Sequence, residues 1–186
     1  MSAQATLSFP TTRAGWLPVS QETLPTALRW RDAHDGDLPF LRRLYGDTRA
    51  AELAAVPWPD AVRHAFLDSQ FTLQHRHYTA HYQPADYLVV EYADEPIGRL
   101  YLHCQDREAT VIDIALLEAW RGRGFGSALL REVQRAAIRD GLDAVVLHVD
   151  LRNLAAKNLY ERMHFVAEAD TGTHLRMRWL ATSGLS

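Results

Sequence analysis

The sequence predicts an α/β (α+β) fold: a single domain with a mixed sheet flanked by helices, in the order β-α-α-β-β-β-α-β-α-β-β. Three observations carry this. Short apolar or alternating runs recur between clear turn signals, as strands do. Two segments with helical spacing precede three successive strand-like runs, and two further helical segments alternate with strands after them. An apolar run, Val111 to Leu117, leads through the glycine-rich basic turn Arg121-Gly122-Arg123-Gly124-Phe125-Gly126 into a helical stretch.

The elements follow in order. Residues 1–25 carry three prolines and little periodicity, and read as an N-terminal extension before a domain spanning 26–182. Ala27 to Arg31 alternates apolar and polar residues, a strand pattern. Asp35 or Asp37 can cap a helix in which Leu38, Leu41, Leu44 and Tyr45 keep helical spacing to about Thr48. Pro57 and Pro59 break the chain. Asp60 then opens a long helix with the stripe Phe66, Leu67, Phe71, Tyr78 and Tyr82, ended by Pro84. Tyr87 to Tyr92, Ile97 to Cys104 and Thr110 to Leu117 form a three-strand meander, turned at Asp94-Glu95-Pro96 and at Gln105 to Glu108. A helix over 127–140 stops at Gly141, a common residue just past a helix end. Ala144 to Val149 is a buried strand, Asn153 starts a helix to about Met163, and Phe165 to Ala169 with His174 to Leu180 makes a closing hairpin.

Composition narrows the function classes. The chain has 186 residues, 47% of them hydrophobic, enough for one sizeable core and too many for disorder. No apolar run approaches the roughly 18 residues that span a membrane, and Met1 to Pro18 lacks the continuous apolar stretch of a secretory signal. Cys104 is the sole cysteine, so no internal disulfide forms; a reducing, cytoplasmic setting is expected. A net charge of −3 argues against non-specific nucleic-acid binding.

The turn at 121–126 carries the chemistry. A glycine-rich loop entering a helix exposes unpaired N–H groups at the positive end of the helix dipole, which suits an anion, and Arg121 and Arg123 add charge. A Walker loop would end in Gly-Lys-Ser/Thr, but Ser127 directly follows Gly126. A dinucleotide fingerprint needs G-x-G-x-x-G; the chain has G-x-G-x-G and no clear acidic ribose partner some twenty residues on. Arg-x-x-Gly-x-Gly after a strand instead resembles the coenzyme A pyrophosphate loop of the GNAT N-acetyltransferases, with Glu118 where a proline is usual. A second stretch, Asn153 to Phe165, resembles that family's N-x-x-A-x-x-L-Y-x-x-x-G-F signature. Asn153, Ala156, Leu159, Tyr160 and Phe165 match, and His164 replaces the glycine, where a positive φ would be costlier. The element order resembles the same fold over about residues 27–180.

The resemblance implies an acyl-CoA-dependent N-acyltransferase, moving acetyl from acetyl-CoA to a primary amine by direct attack in a ternary complex. It implies that Leu116, Leu117, Arg121, Gly122, Arg123, Gly124, Phe125, Gly126, Ser127, Asn153 and Tyr160 hold the cofactor. It also implies a splayed strand pair that receives pantetheine, a backbone N–H near Leu116 that polarises the thioester carbonyl, and Tyr160 as the acid for the departing thiolate. Asp113 is a charge in an apolar strand, where burial would need a partner, and is either a general base or a group that orients a loop. Glu91, Glu52 and His103 are further base candidates. Glu52, Gln74, His75 and Tyr78 either contact the acceptor or form a solvated helix face.

His77 and His81 share a helix face near His75, but Tyr78, Thr79 and Ala80 supply no acidic residue between them, so no metal is expected. Cys104 has no partner motif for covalent catalysis. Expected partners are a small-molecule or peptide amine, with no nucleic acid and no membrane, in a monomer or homodimer. The alternatives are a protein N-terminal or larger-acyl transferase on the same fold, or a non-catalytic CoA-binding module.

Overall fold

The computed structural model describes residues 7–18 and 27–181. Its elements are β1 (Leu28–Asp32), α1 (Leu38–Leu53), α2 (Asp60–His81), β2 (Ala85–Tyr92), β3 (Glu95–Gln105), β4 (Glu108–Leu116), α3 (Phe125–Arg139), β5 (Ala144–Asp150), α4 (Leu154–Arg162), β6 (Val166–Asp170) and β7 (His174–Leu180). This is the predicted order. The strands form one seven-stranded sheet, β1-β2-β3-β4-β5-β7-β6, in which only β4 and β5 run parallel.

Alternation along the strands divides the core. On β2, Leu88 and Val90 join the cluster that contains Leu129, Leu130 and Val133 of α3, while Tyr87 and Val89 join Leu41, Leu44 and Tyr45 of α1 and Phe71 of α2. Successive side chains on a strand point to opposite faces, so helices cover both sides of the sheet.

One irregularity opens the molecule. Tyr101 on β3 pairs with Asp113, and its neighbour Leu102 pairs with Val111, so Ile112 is the extra residue of a bulge in β4. A bulge bends its strand. The parallel pairing of β4 with β5 runs from Glu108↔Ala144 to Val111↔Leu147 and stops there. Beyond Val111 the two strands diverge and leave a wedge.

Several turns differ in detail from the sequence reading. Ala93 and Asp94 (φ +48° and +68°) form a two-residue hairpin turn, and Glu95 and Pro96 already belong to β3. Neither Asp35 nor Asp37 caps α1 with its side chain. Asp35 accepts the Phe9 N–H (2.8 Å), and Asp37 pairs with Arg31 (2.8 Å). Gly141 closes α3 at φ +65°, as its position predicts. His164 keeps the left-handed turn at φ +64° despite its side chain.

Residues 7–18 form an arm packed on the domain. Leu7, Phe9 and Leu17 are buried, and the Asp86 carboxylate accepts the N–H groups of Gly15 (2.5 Å), Trp16 (2.8 Å) and Leu17 (3.0 Å). The rest of the expected extension and both domain boundaries, at residues 26 and 182, lie outside the described residues. No helix among the described residues is long and apolar enough to cross a membrane.

Candidate active site

A cleft of about 600 Å³ occupies the wedge between β4 and β5. Ile112 to Leu116 form one wall and His148 to Asp150 the other; Asn153, which precedes α4, and Ala156 and Tyr160 of α4 close one side, and Tyr45, Glu52, Gln74 and Tyr78 of α1 and α2 cover the opposite side.

A buried polar network forms its floor. Arg99 of β3 is 3% exposed, and its guanidinium grips Asp113 through Nε (3.2 Å) and a terminal nitrogen (2.7 Å). The same nitrogen donates to Gln74 Oε1 (2.8 Å), and the Tyr78 hydroxyl donates to Asp113 Oδ2 (3.0 Å). Burial opposes the charge of Arg99, but Asp113 outweighs it, so its pKa stands above the ordinary value. Burial, then the Asp113 charge, raises the Tyr78 hydroxyl as well. Asp113 therefore has the partners that its burial requires, and both its oxygens are occupied.

Tyr160 lines the cleft and is 7% exposed. Burial, assisted by Asp113, raises its pKa and keeps the hydroxyl protonated. Asn153 also lines the cleft, and its Oδ1 accepts the Ala156 N–H (3.1 Å), capping α4. Both readings of Asn153, cap and cleft residue, fit its position.

The glycine turn lies where β4 hands over to α3. Gly122 and Gly124 take φ +72° and +84°, and a Cβ at either would meet nothing within 4 Å. Their role is conformational, and they leave the backbone open to a close approach. The Ala128 N–H bonds the Gly124 carbonyl (3.0 Å), so the N–H groups of Phe125, Gly126 and Ser127 precede the first helical hydrogen bond. Gly126 also lets α3 approach α4, since its Cβ would lie 3.2 Å from Leu159, next to Tyr160. Arg123 is exposed, its guanidinium 4.9 Å from the Trp120 ring centre. Arg121 is not a free anion ligand: Nε donates to the Leu116 carbonyl (2.8 Å), and a terminal nitrogen pairs with Asp47 (2.5 Å).

Other expected site residues fall elsewhere. The Leu117 N–H is taken by the Ile97 carbonyl (2.9 Å), so only Leu116 of that pair faces the cleft. The Phe125 side chain packs between Tyr92 and Trp120, leaving its backbone as the exposed donor. His75 is buried and faces away: its ring meets Phe9 edge to face and lies tilted against Phe71, Nε2 lies 3.0 Å from the Ser8 carbonyl, and burial lowers its pKa. Glu91 is buried under β1, paired with Arg29 and Arg31. His103 Nδ1 lies 2.8 Å from the Pro84 carbonyl, outside the cleft. Neither Glu91 nor His103 lines the cleft. Glu52 stands at the rim beside Arg49 (3.1 Å). Burial pushes the Cys104 thiol up to about 12, which holds it protonated.

His77 and His81 of α2 are exposed and contact their own helix. The His77 and His81 rings lie 4.2 Å apart, and His81 Nδ1 sits 2.8 Å from the His77 carbonyl. Among the described residues no group of three His, Cys, Asp or Glu side chains is placed to hold a metal ion.

The sequence reading missed Arg99, His148 and His174. Arg99 sits in an ordinary strand pattern, and His148 sits in a run that reads as wholly buried; the wedge alone exposes it.

The model of the Acetyltransferase (GNAT) family matches residues 40–165. An uncharacterized N-acetyltransferase of Bacillus subtilis (strain 168), YycN, is 33% identical over 73 residues, 37% of this chain and 47% of the relative. A second from the same organism, YdgE, is 31% identical over 88 residues, 45% of this chain and 53% of the relative. The chain thus spans about half the length of the curated relatives it matches. Among solved structures, the PaiA N-acetyltransferase of Thermoplasma acidophilum in complex with coenzyme A superposes with a TM-score of 0.65 at 15% identity, over 83% of this chain and 99% of that one. The spermidine N-acetyltransferase of Vibrio cholerae, in complex with CoA and spermine, gives 0.59 at 24% identity, over 86% and 98%. At these identities the solved structures establish a shared fold.

Proposed function

The chain belongs to the GNAT acetyltransferase family, and from that premise we propose that it is an acyl-CoA-dependent N-acyltransferase that moves acetyl from acetyl-CoA to a primary amine by direct attack in a ternary complex. The observation that carries this reading is the wedge past Val111↔Leu147, with the α3 N-terminus near one end and a buried hydroxyl, Tyr160, in its wall.

The residues fit the co-substrate. The first-turn N–H groups of α3 and the open backbone at Gly122 and Gly124 suit a pyrophosphate, with Arg123 adding exposed charge. The unpaired edges of β4 and β5 suit an extended pantetheine arm, laid in as a strand is added to a sheet. Acetyl-CoA supplies a thioester carbonyl open to attack and a thiolate leaving group. Tyr160, held protonated by burial, is in the form that an acid for that thiolate needs. Arg99, Gln74, Tyr78 and Asp113 give the acceptor a fixed polar floor.

The acceptor brings a cost of its own. Neutralising an alkylammonium at pH 7 takes roughly 4.6 kcal/mol, from a reference pKa of about 10.4. The cleft must therefore hold a proton acceptor.

The test is release of free thiol from acetyl-CoA with a panel of alkylamines, polyamines and peptides with free α-amino groups, with acetylated product identified by mass. Thiol release with one amine class supports the reading. Tight acetyl-CoA binding with no release above background hydrolysis would replace it with a non-catalytic CoA-binding module.

A further inference from the structure

Among the described residues, every carboxylate lining the cleft is engaged by an arginine. Asp113 is held by Arg99 and Tyr78, Glu52 by Arg49 (3.1 Å) and Asp150 by Arg152 (2.7 Å). Of the lining phenols, Tyr78 and Tyr160 are kept protonated by burial, and Tyr45 lies under the Arg49 guanidinium, 5.5 Å from its ring centre. Two imidazoles remain, His148 and His174. His174 sits at the outer end of β7, its Nδ1 3.0 Å from Thr173 Oγ1. His148 is the first residue of β5 beyond the last parallel pair, Val111↔Leu147. It is exposed into the cleft, and among the described residues no hydrogen bond engages its ring.

We propose that His148 accepts the proton that the acceptor ammonium must lose, an assignment that rests on the N-acyltransferase reading above. The surroundings favour the neutral ring. Arg176 lies opposite it and His174 beside it on β7; Asp150 and Arg152 follow it in the chain. Asp113 of β4, Arg49 and Glu52 of α1, Tyr78 of α2 and Tyr160 of α4 line the same cleft. Burial, then Arg176 and His174, lowers its pKa below the usual histidine value, so the imidazole stands unprotonated at pH 7. It is also the better base by type. An ordinary carboxylate lies about 6 pKa units below an alkylammonium, an imidazole about 4.

The protons balance. The ammonium gives one proton to the His148 ring nitrogen, which passes it to solvent. The amine nitrogen then bonds the carbonyl carbon, and the C–S bond breaks with its electron pair on sulfur. Sulfur takes the Tyr160 hydroxyl proton, and the second proton lost by nitrogen restores that hydroxyl. The sum is ammonium plus thioester to amide, thiol and one released proton.

The test compares wild type, His148→Gln and His174→Gln in acetyl transfer across about pH 5 to 9, with acetyl-CoA affinity measured by calorimetry. His148→Gln should lower kcat by about 10²-fold or more, leave acetyl-CoA affinity unchanged and remove the acidic limb of the pH profile. Added imidazole should restore part of the rate. His174→Gln should keep an acidic limb but move it toward neutral pH, because the His174 charge that helps to lower the His148 pKa is gone. An active wild type whose His148→Gln variant keeps the same kcat and acidic limb would overturn the assignment and leave the transferase reading intact. A wild type that binds acetyl-CoA and acetylates no amine would overturn both.

Discussion

Replacing Arg99 with Met removes the guanidinium from the floor of the cleft, leaves the Asp113 carboxylate with the Tyr78 hydroxyl and without its counter-charge, and leaves the Gln74 carbonyl without its donor. The Asp113 side chain is 14% exposed and that of Arg99 only 3%, so the stranded charge has little water to replace the lost bonds. Breaking a buried pair from one side costs about 3–5 kcal/mol, and the open side of the cleft places this case toward the lower figure. At about 2–4 °C per kcal/mol for a chain of this size, a loss of about 3 kcal/mol should lower the melting temperature by about 6–12 °C. Asp113→Leu strands the Arg99 charge more deeply and should cost at least as much. The double variant, Arg99→Met with Asp113→Leu, removes both charges and should recover most of the loss. Urea titration with linear extrapolation on all four proteins gives the coupling energy. Single losses below about 1 kcal/mol, or a double variant that simply sums the singles, would mean that Asp113 is not held by Arg99 and would return it to the list of proton acceptors.

Gly124→Val should fold and yet weaken acetyl-CoA binding, because a β-branched side chain disfavours φ +84° and narrows the approach to the α3 N–H groups; calorimetry showing equal affinity would remove the pyrophosphate assignment. Tyr160→Phe should lower kcat by about 10²-fold with little change in acetyl-CoA affinity, and a wild-type kcat under conditions where chemistry limits the rate would reduce Tyr160 to packing. Chelation should leave the transfer rate unchanged, since His77 and His81 turn onto their own helix and His75 onto Ser8; activity lost with chelator and regained with added metal would refute this.

The backbone order was legible because its signals are local. Alternation in β2 and β3, the prolines around α2 and the glycine past α3 each act within a few residues. The wedge was not legible. Ile112 looks like any apolar strand residue, and only pairing with β3 reveals it as surplus. Everything that the wedge exposes shares this obscurity: His148 lies among buried valines, and Arg99 occupies a strand position that an exposed arginine would fill equally well. His75 erred the other way. A polar residue on a long helix suggests a wet face, but the arm brings Phe9 and the Ser8 carbonyl onto it. The loop glycines were found because their conformational demand is written in residue type, whereas the commitments of Arg121 to Asp47 and of Leu117 to Ile97 depend on elements distant in the chain.

The arm changes what counts as the minimal folding unit. Leu17 belongs to the core under α3, and Leu7 and Phe9 to the core under α1 and α2. At about 1.5–3 kcal/mol for each buried side chain, these residues together contribute about 5–9 kcal/mol, comparable to the whole stability of an ordinary domain. A protein begun at Leu28, the first residue of β1, would lose that contribution and leave Asp86, 1% exposed, without the amides that solvate it. The domain therefore cannot be excised at its first strand, and any fusion, tag or recombination junction that respects it must leave the preceding apolar residues attached.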